Sequence, residues 1–175
     1  EFDSQQGYEF KTHGVRLPEI KIPVEEKLAV GLKEADSNYE FLKALARKGF
    51  KELKLKAGTP EHKKYNDRAK YELETLEELG FTDYILMIWD ITNFCRKKDI
   101  PLGLGRGSVA GSLLTYLVGI TGIDSVKYNL YFERFVSKVR AKKNIVDGVT
   151  YLVGSLPDID LDFCLYRRNE IFQYL

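Results

Sequence analysis

A chain of 175 residues with 27 Lys+Arg against 26 Asp+Glu, a net charge of +1 and 44% hydrophobic residues has the composition of one globular domain or part of a larger one. These totals argue against a polybasic binder, no apolar run approaches the roughly 18 residues of a membrane span, and no basic-then-apolar leader opens the chain. Two cysteines, Cys95 and Cys164, exclude a disulfide scaffold and point to a reducing, cytoplasmic compartment.

Leu17-Pro18 through Pro23 reads as an extended, proline-bounded lead-in, and Val24 to Ala35 as a helix with Leu28 and Leu32 four apart. Ser37-Asn38-Tyr39-Glu40 is a capping box for a second helix, which Gly49 is expected to close. Thr59-Pro60 starts a third, with the stripe Tyr65, Ala69, Leu73, Leu76 and Gly80 at its C-terminal cap. Asp83 to Lys98 stays apolar too long for a strand and reads as a buried helix ending in Arg96-Lys97-Lys98. Helices are also predicted over Ser108–Val118 and Tyr128–Val136. Asp147-Gly148 between two apolar runs predicts a β-hairpin over 144–154, and Leu156–Phe163 predicts a strand. Tyr166–Leu175 reads as a helix without a stop signal, so the chain is expected to be cut from a longer polypeptide.

Charge is sorted into blocks behind the balanced total. Lys127 to Lys143 holds Lys127, Arg134, Lys138, Arg140, Lys142 and Lys143 against Glu133 alone. Asp147, Asp158, Asp160 and Asp162 follow, with no basic residue before Arg167.

Two motifs flank the basic block. In Gly103-Leu104-Gly105-Arg106-Gly107-Ser108 an extended run meets a predicted helix. Glycines there allow a tight turn and close approach of a ligand, and free N–H groups at the helix start favour an anion such as phosphate. Arg106 adds a guanidinium fork and Ser108 a hydroxyl donor. Close helix packing alone would also use these glycines. The spacing of Gly105, Gly107 and Gly111 is one residue too long for the dinucleotide fingerprint, and Asp124 sits in a turn rather than at a strand end.

In Pro157-Asp158-Ile159-Asp160-Leu161-Asp162-Phe163, period-two alternation puts three carboxylates on one face, about 6.5–7 Å apart along the backbone. Like charges so close favour a cation among them, and hard oxygen ligands suit Mg²⁺. An EF-hand loop is excluded, since its sixth and twelfth positions would be Phe163 and Asn169. A solvated acidic face is the bland alternative. His13 and His62 have no partners at ligand spacing, and Cys95, Cys164 and the aromatics Tyr39, Phe41, Tyr84, Trp89 and Phe94 read as packing residues.

Gly105-Arg106-Gly107-Ser108-x-Ala110-Gly111-Ser112-Leu113, then Gly119-Ile120-Thr121, Tyr128-Asn129-Leu130-x-Phe132-Glu133-Arg134-Phe135 and the Pro157–Phe163 motif occur in order. Leu17-Pro18, Tyr71-Glu72-Leu73 and Leu79-Gly80-Phe81-x-x-Tyr84 lie upstream. Together they resemble the palm of bacterial C-family replicative DNA polymerases, the DNA polymerase III alpha subunits. The resemblance implies an α+β, polymerase-beta-like nucleotidyltransferase palm, with helices packed on a small mixed sheet and truncated before the final catalytic strand. It divides the chain into a lead-in (1–23), a helical part (24–100) and a core (101–175) that carries the Gly-Arg-Gly-Ser turn, an inserted hairpin at about 138–155 and the carboxylate strand. That insertion sets the chain apart from typical bacterial subunits and suggests a phage-encoded relative.

Carried over, Asp158 and Asp160 are the catalytic, metal-ligating aspartates. Asp162 shares their face as a further metal contact that is not expected to be essential. Arg106, Gly107, Ser108, Arg167 and Arg168 become nucleotide-binding residues, and Lys138, Arg140, Lys142 and Lys143 contacts to DNA. Two Mg²⁺ ions, dNTP, primer–template DNA, a sliding clamp and other replisome subunits are the implied cofactors and partners, with no membrane. The family's third aspartate, thumb and fingers lie beyond the chain, so this piece is expected to be inactive alone. A nucleotidyltransferase acting on something other than a primer, and a non-catalytic DNA-binding module, are the competing expectations.

Overall fold

The computed structural model describes residues 19–139, 141–146, 149–154 and 156–175. Leu17-Pro18, His13, Arg140 and the Asp147-Gly148 turn lie outside the described residues. Among the described residues six α-helices carry the fold: α1 Val24–Ala29, α2 Asn38–Glu52, α3 Pro60–Glu78, α4 Thr82–Lys97, α5 Leu113–Leu117 and α6 Arg168–Tyr174. One hairpin, β1 Ala141–Val146 with β2 Val149–Gly154, interrupts them.

The caps of α2 and α3 form as their sequences require. Ser37 accepts from the Glu40 amide and Thr59 from the His62 amide, each relieving an orphan N–H, and Pro60 takes the first helical position. Gly80, at φ +77°, follows the end of α3. The apolar Asp83–Lys98 run is helical as expected, and its buried side includes Ile85, Leu86, Trp89 and Cys95. Trp89 meets Phe41 of α2 edge-on at 5.2 Å, and Leu42, Leu76, Phe81 and Phe132 complete the centre of the core. Phe94 stacks on Tyr174 at 4.0 Å and so holds α6 against α4.

Several elements differ from expectation. The α1 helix stops at Ala29 because Gly31 turns the chain at φ +81°. Gly49 does not close α2, which continues to Glu52. A Cβ at Gly49 would stand 1.9 Å from the Leu117 carbonyl oxygen, so this glycine exists to let α2 and α5 cross at close range. Gly49→Ala is therefore expected to destabilise the fold by about 1–3 kcal/mol, read as a lower urea midpoint. An unchanged midpoint would show that α5 moves aside without cost.

The helix predicted over Ser108–Val118 is a 3-10 turn, Gly107–Gly111, broken at extended Ser112 (φ −96°, ψ 122°) before α5 begins. Glu72 of α3 causes the break. Its fully buried carboxylate accepts from Ser112 Oγ (2.7 Å), Leu113 N (3.0 Å) and Leu114 N (2.9 Å), and from Arg68 Nε at 2.5 Å. Arg68 also donates to the carbonyls of Gly111 (2.8 Å) and Leu130 (3.0 Å). Burial pushes the Glu72 carboxyl up from its ordinary value, while the amides, the hydroxyl and the guanidinium pull it back. Tyr128–Val136 is likewise mostly turn, with one 3-10 segment at Phe132–Arg134 and Asn129 at φ +52°.

The expected α+β architecture is overturned. The molecule is a helical body, and among the described residues the two-stranded antiparallel hairpin is the whole of the sheet. No mixed sheet backs the helices among the described residues. Among them Leu156–Phe163 forms no strand, and its pairing with a neighbouring segment is the single bridge Leu102↔Phe163. The physical reason lies on the opposite side of that bridge. Gly103 N donates to the Asp162 carbonyl at 2.7 Å and Cys164 N to the Pro101 carbonyl at 3.2 Å. At Leu104 the chain turns away, its carbonyl taken by Gly122 N at 2.7 Å, so no ladder propagates. Aspartate at alternate positions supplies little strand preference to compensate.

Candidate functional site

Alternation survives where the strand does not. Ile159 and Leu161 pack against the core and Phe163 against the cluster of Cys95, Ile100 and Ile171. Asp158 and Asp162 are exposed, and Asp160 is partly so. Burial of the odd-numbered side chains thus turns the acidic ones outward, toward the glycine turn.

The turn meets them through Arg106. Its Nη1 lies 3.1 Å from Asp160 Oδ2 and its Nε 3.2 Å from Asp162 Oδ1. Gly107, at φ +70°, brings the backbone so near that a Cβ there would lie 3.6 Å from Asp160 Oδ2. Ser108 and Arg134 stand between two cavities. The smaller, of ≈ 160 Å³, is also lined by Asp158, Pro157 and Phe81. The larger, of ≈ 480 Å³, is also lined by Gly107, Gly111, Asn129 and Tyr131. That volume falls in the range of a small-ligand site.

Positive charge here comes from the Arg106 and Arg134 side chains. The anion seat was expected at a helix start at Ser108; the α-helix begins instead at Leu113, and the N–H groups of Leu113 and Leu114 point at the protein's own Glu72. The dinucleotide alternative loses its acid as well. Asp124 accepts from the amides of Val126 and Lys127 at 3.0 Å, which closes its own turn, and from Tyr65 Oη at 2.7 Å; burial first, and this bond second, push the tyrosine hydroxyl up.

Arg134 is the residue that reasoning from motifs passed over. It stands in the Tyr128–Phe135 motif and in the basic block without a site role, yet no carboxylate holds it among the described residues, and it lines both cavities beside Ser108. Its place depends on three distant segments meeting, which local spacing does not reveal.

Other sequence-predicted residues lie apart. Arg167 is committed to Glu170 (2.6 and 2.7 Å) and to the carbonyls of Lys98 (2.8 Å) and Asp99 (3.2 Å). Arg168 lies over the Phe172 ring, 4.7 Å from its centre. Lys138 pairs with Glu78 at the end of α3. Lys142 and Lys143 fall on β1 opposite Val153 and Leu152, and Arg140 lies outside the described residues. Cys95 is buried, with burial pushing its thiol up, and His62 meets Phe50 edge-on, so neither joins the site.

Among the described residues no three His, Cys, Asp or Glu side chains gather into an all-protein metal cage. Mg²⁺, however, commonly takes one or two carboxylates and completes its shell with water and phosphate. Asp160 and Asp162 already converge on one cation, the Arg106 guanidinium. The donor set therefore fits such an ion.

The model of the bacterial DNA polymerase III alpha NTPase domain matches residues 40–175, spanning both the turn and the carboxylate segment. The chain belongs to the bacterial DNA polymerase III alpha family. It is 35% identical over 173 residues to the DNA polymerase III subunit alpha of Aquifex aeolicus, covering 99% of this chain and 13% of that protein. Against the subunit alpha of Borreliella burgdorferi it is 40% identical over 162 residues, 93% of this chain and 12% of the relative. The Yersinia pestis protein is 45% identical over 115 residues, 66% of this chain and 9% of its own length. This member of the family thus spans about an eighth of the length of the first two relatives. Among its described residues no helix is long and apolar enough to cross a membrane.

Proposed function

We infer that this chain contributes the nucleotide and metal site of a DNA-directed DNA polymerase, which transfers a nucleotidyl group from dNTP to a primer 3′-hydroxyl during replication. One observation carries the reading: the glycine turn with Arg106 and Ser108 stands face to face with the carboxylates of Asp160 and Asp162. On this reading, phosphate-binding and metal-binding groups share one cleft. Membership in a family whose relatives are named as polymerase subunits supports it.

In this reading Asp158 and Asp160 hold divalent metal, with Asp162 as a further contact. Bound Mg²⁺ supplies charge neutralisation for the phosphates and a lowered pKa for the primer hydroxyl, two ions being expected in the complete site. Ser108 and the Gly107 backbone orient the triphosphate, and Arg106 and Arg134 place positive charge along it. Arg168 remains available for an outer phosphate, whereas Arg167 braces α6. Lys138, Arg140, Lys142 and Lys143 contribute to a basic face for primer–template DNA. Replisome subunits, including a sliding clamp, are the further partners, and the setting is the cytoplasm.

Primer extension by the parent polypeptide tests the assignment. Mg²⁺-dependent insertion of the template-dictated nucleotide is expected. Untemplated transfer would favour another nucleotidyltransferase activity. Salt-sensitive DNA binding indifferent to Mg²⁺ and dNTP would leave only a binding module.

A further inference from the structure

Arg106 spans from the glycine turn to the carboxylate segment, and in doing so sets one positive charge between two negative ones. Without a cation there, Asp160 and Asp162 would repel each other across the segment. The guanidinium therefore does part of what a metal would do. Its hold is loose, because the side chains of Arg106, Asp160 and Asp162 are 59%, 37% and 56% exposed. Pairs so open to water are screened and contribute little. A divalent ion carries twice the charge on a smaller sphere and prefers hard oxygen ligands, so it can displace such a partner.

We propose that Arg106 is a resident counter-ion that yields Asp160 and Asp162 to an incoming divalent cation and, once released, pairs with the triphosphate. This rests on the site reading above and adds an order of events. The turn carries Arg106 next to Gly107 and Ser108, so a guanidinium leaving the carboxylates remains attached beside the phosphate-binding groups. Loading the metal thus uncovers a phosphate ligand. Until the metal enters, the two acids are half neutralised and the arginine is occupied.

The test titrates the full chain with Mn²⁺, following free ion by electron paramagnetic resonance, and compares wild type with Arg106→Gln, Arg106→Lys and Asp160→Asn. Without nucleotide, Arg106→Gln is expected to bind Mn²⁺ about threefold tighter, the size expected for freeing the carboxylates of one exposed ion pair. Arg106→Lys keeps the charge and should stay near wild type. At saturating Mn²⁺, Arg106→Gln should bind fluorescent dATP about tenfold more weakly, having lost one charge-assisted contact. Circular dichroism melting confirms that each variant is folded. Equal or weaker Mn²⁺ binding by Arg106→Gln, with binding lost in Asp160→Asn, would overturn the exchange and leave the metal site standing. Unchanged dATP affinity in Arg106→Gln would overturn the second half of the exchange. Undiminished Mn²⁺ binding by Asp160→Asn would overturn the metal site itself and the exchange with it.

Discussion

On the proposed function, Asp160→Asn in the full-length protein is expected to lower primer extension by about a thousandfold or more, because a carboxylate assigned to the metal would also set the charge at the reacting phosphate. The amide keeps the shape and removes the negative charge. Asp158→Asn should behave similarly, although Asp158 sits at the small cavity with Ser108 rather than against Arg106. Asp162→Asn should cost far less, as its carboxylate meets only the Arg106 Nε edge. None of the three changes should move the unfolding free energy by more than about 1 kcal/mol, since the pairs they touch are exposed and screened. A melting temperature that holds while extension collapses would place the loss in chemistry. Retained extension in both Asp158→Asn and Asp160→Asn would sink the assignment.

Glu72→Ala should produce the largest loss of stability. The substitution leaves two buried amides and the buried Ser112 hydroxyl without their acceptor, and takes from the part-exposed Arg68 guanidinium its carboxylate while its carbonyl partners remain. Breaking a buried pair from one side costs about 3–5 kcal/mol. Against a typical domain stability of about 5–15 kcal/mol, that removes a large fraction of what holds the fold. Glu72→Gln separates shape from charge. Its amide fills the same volume but presents N–H groups where donors already stand, so most of the penalty should remain. Urea midpoints for the two variants read this directly. A Gln variant as stable as wild type would show that the pocket needs only volume.

Glu72 also illustrates how much could be read before the fold was known. The stripe Tyr65, Ala69, Leu73, Leu76 on α3 was legible, and Glu72 lies three residues after Ala69 and four before Leu76, on that same buried side. A charge there announces a partner. Which partner was not legible, because Ser112 and the start of α5 lie some forty residues on. Gly49 failed for a related reason. Its sequence neighbourhood suits a helix stop, and only the Leu117 carbonyl pressed against it shows why no side chain fits.

The carboxylate motif was legible in one respect and not in another. Side-chain direction follows from alternation alone, and Asp160 and Asp162 do face the turn together. Strand pairing needs a second chain segment in register, and beyond the Leu102–Phe163 contact none is offered among the described residues. The hairpin is the opposite case. Both its strands lie close together in sequence, so short-range spacing was enough to place them.

That single bridge sets how the cleft responds to disturbance. Its two walls come from segments roughly sixty residues apart, joined by the amides of Gly103 and Cys164. Parting the walls means losing those two bonds, the exposed Arg106 pairs with Asp160 and Asp162 and the packing of Phe163, all outside the α2–α4 core, so a local opening free energy below that of global unfolding is expected. Proton–deuterium exchange at those two amides would follow this opening in a molecule that is otherwise closed. A ligand gripping both walls would slow exchange there first, well away from the helices that give the protein its bulk.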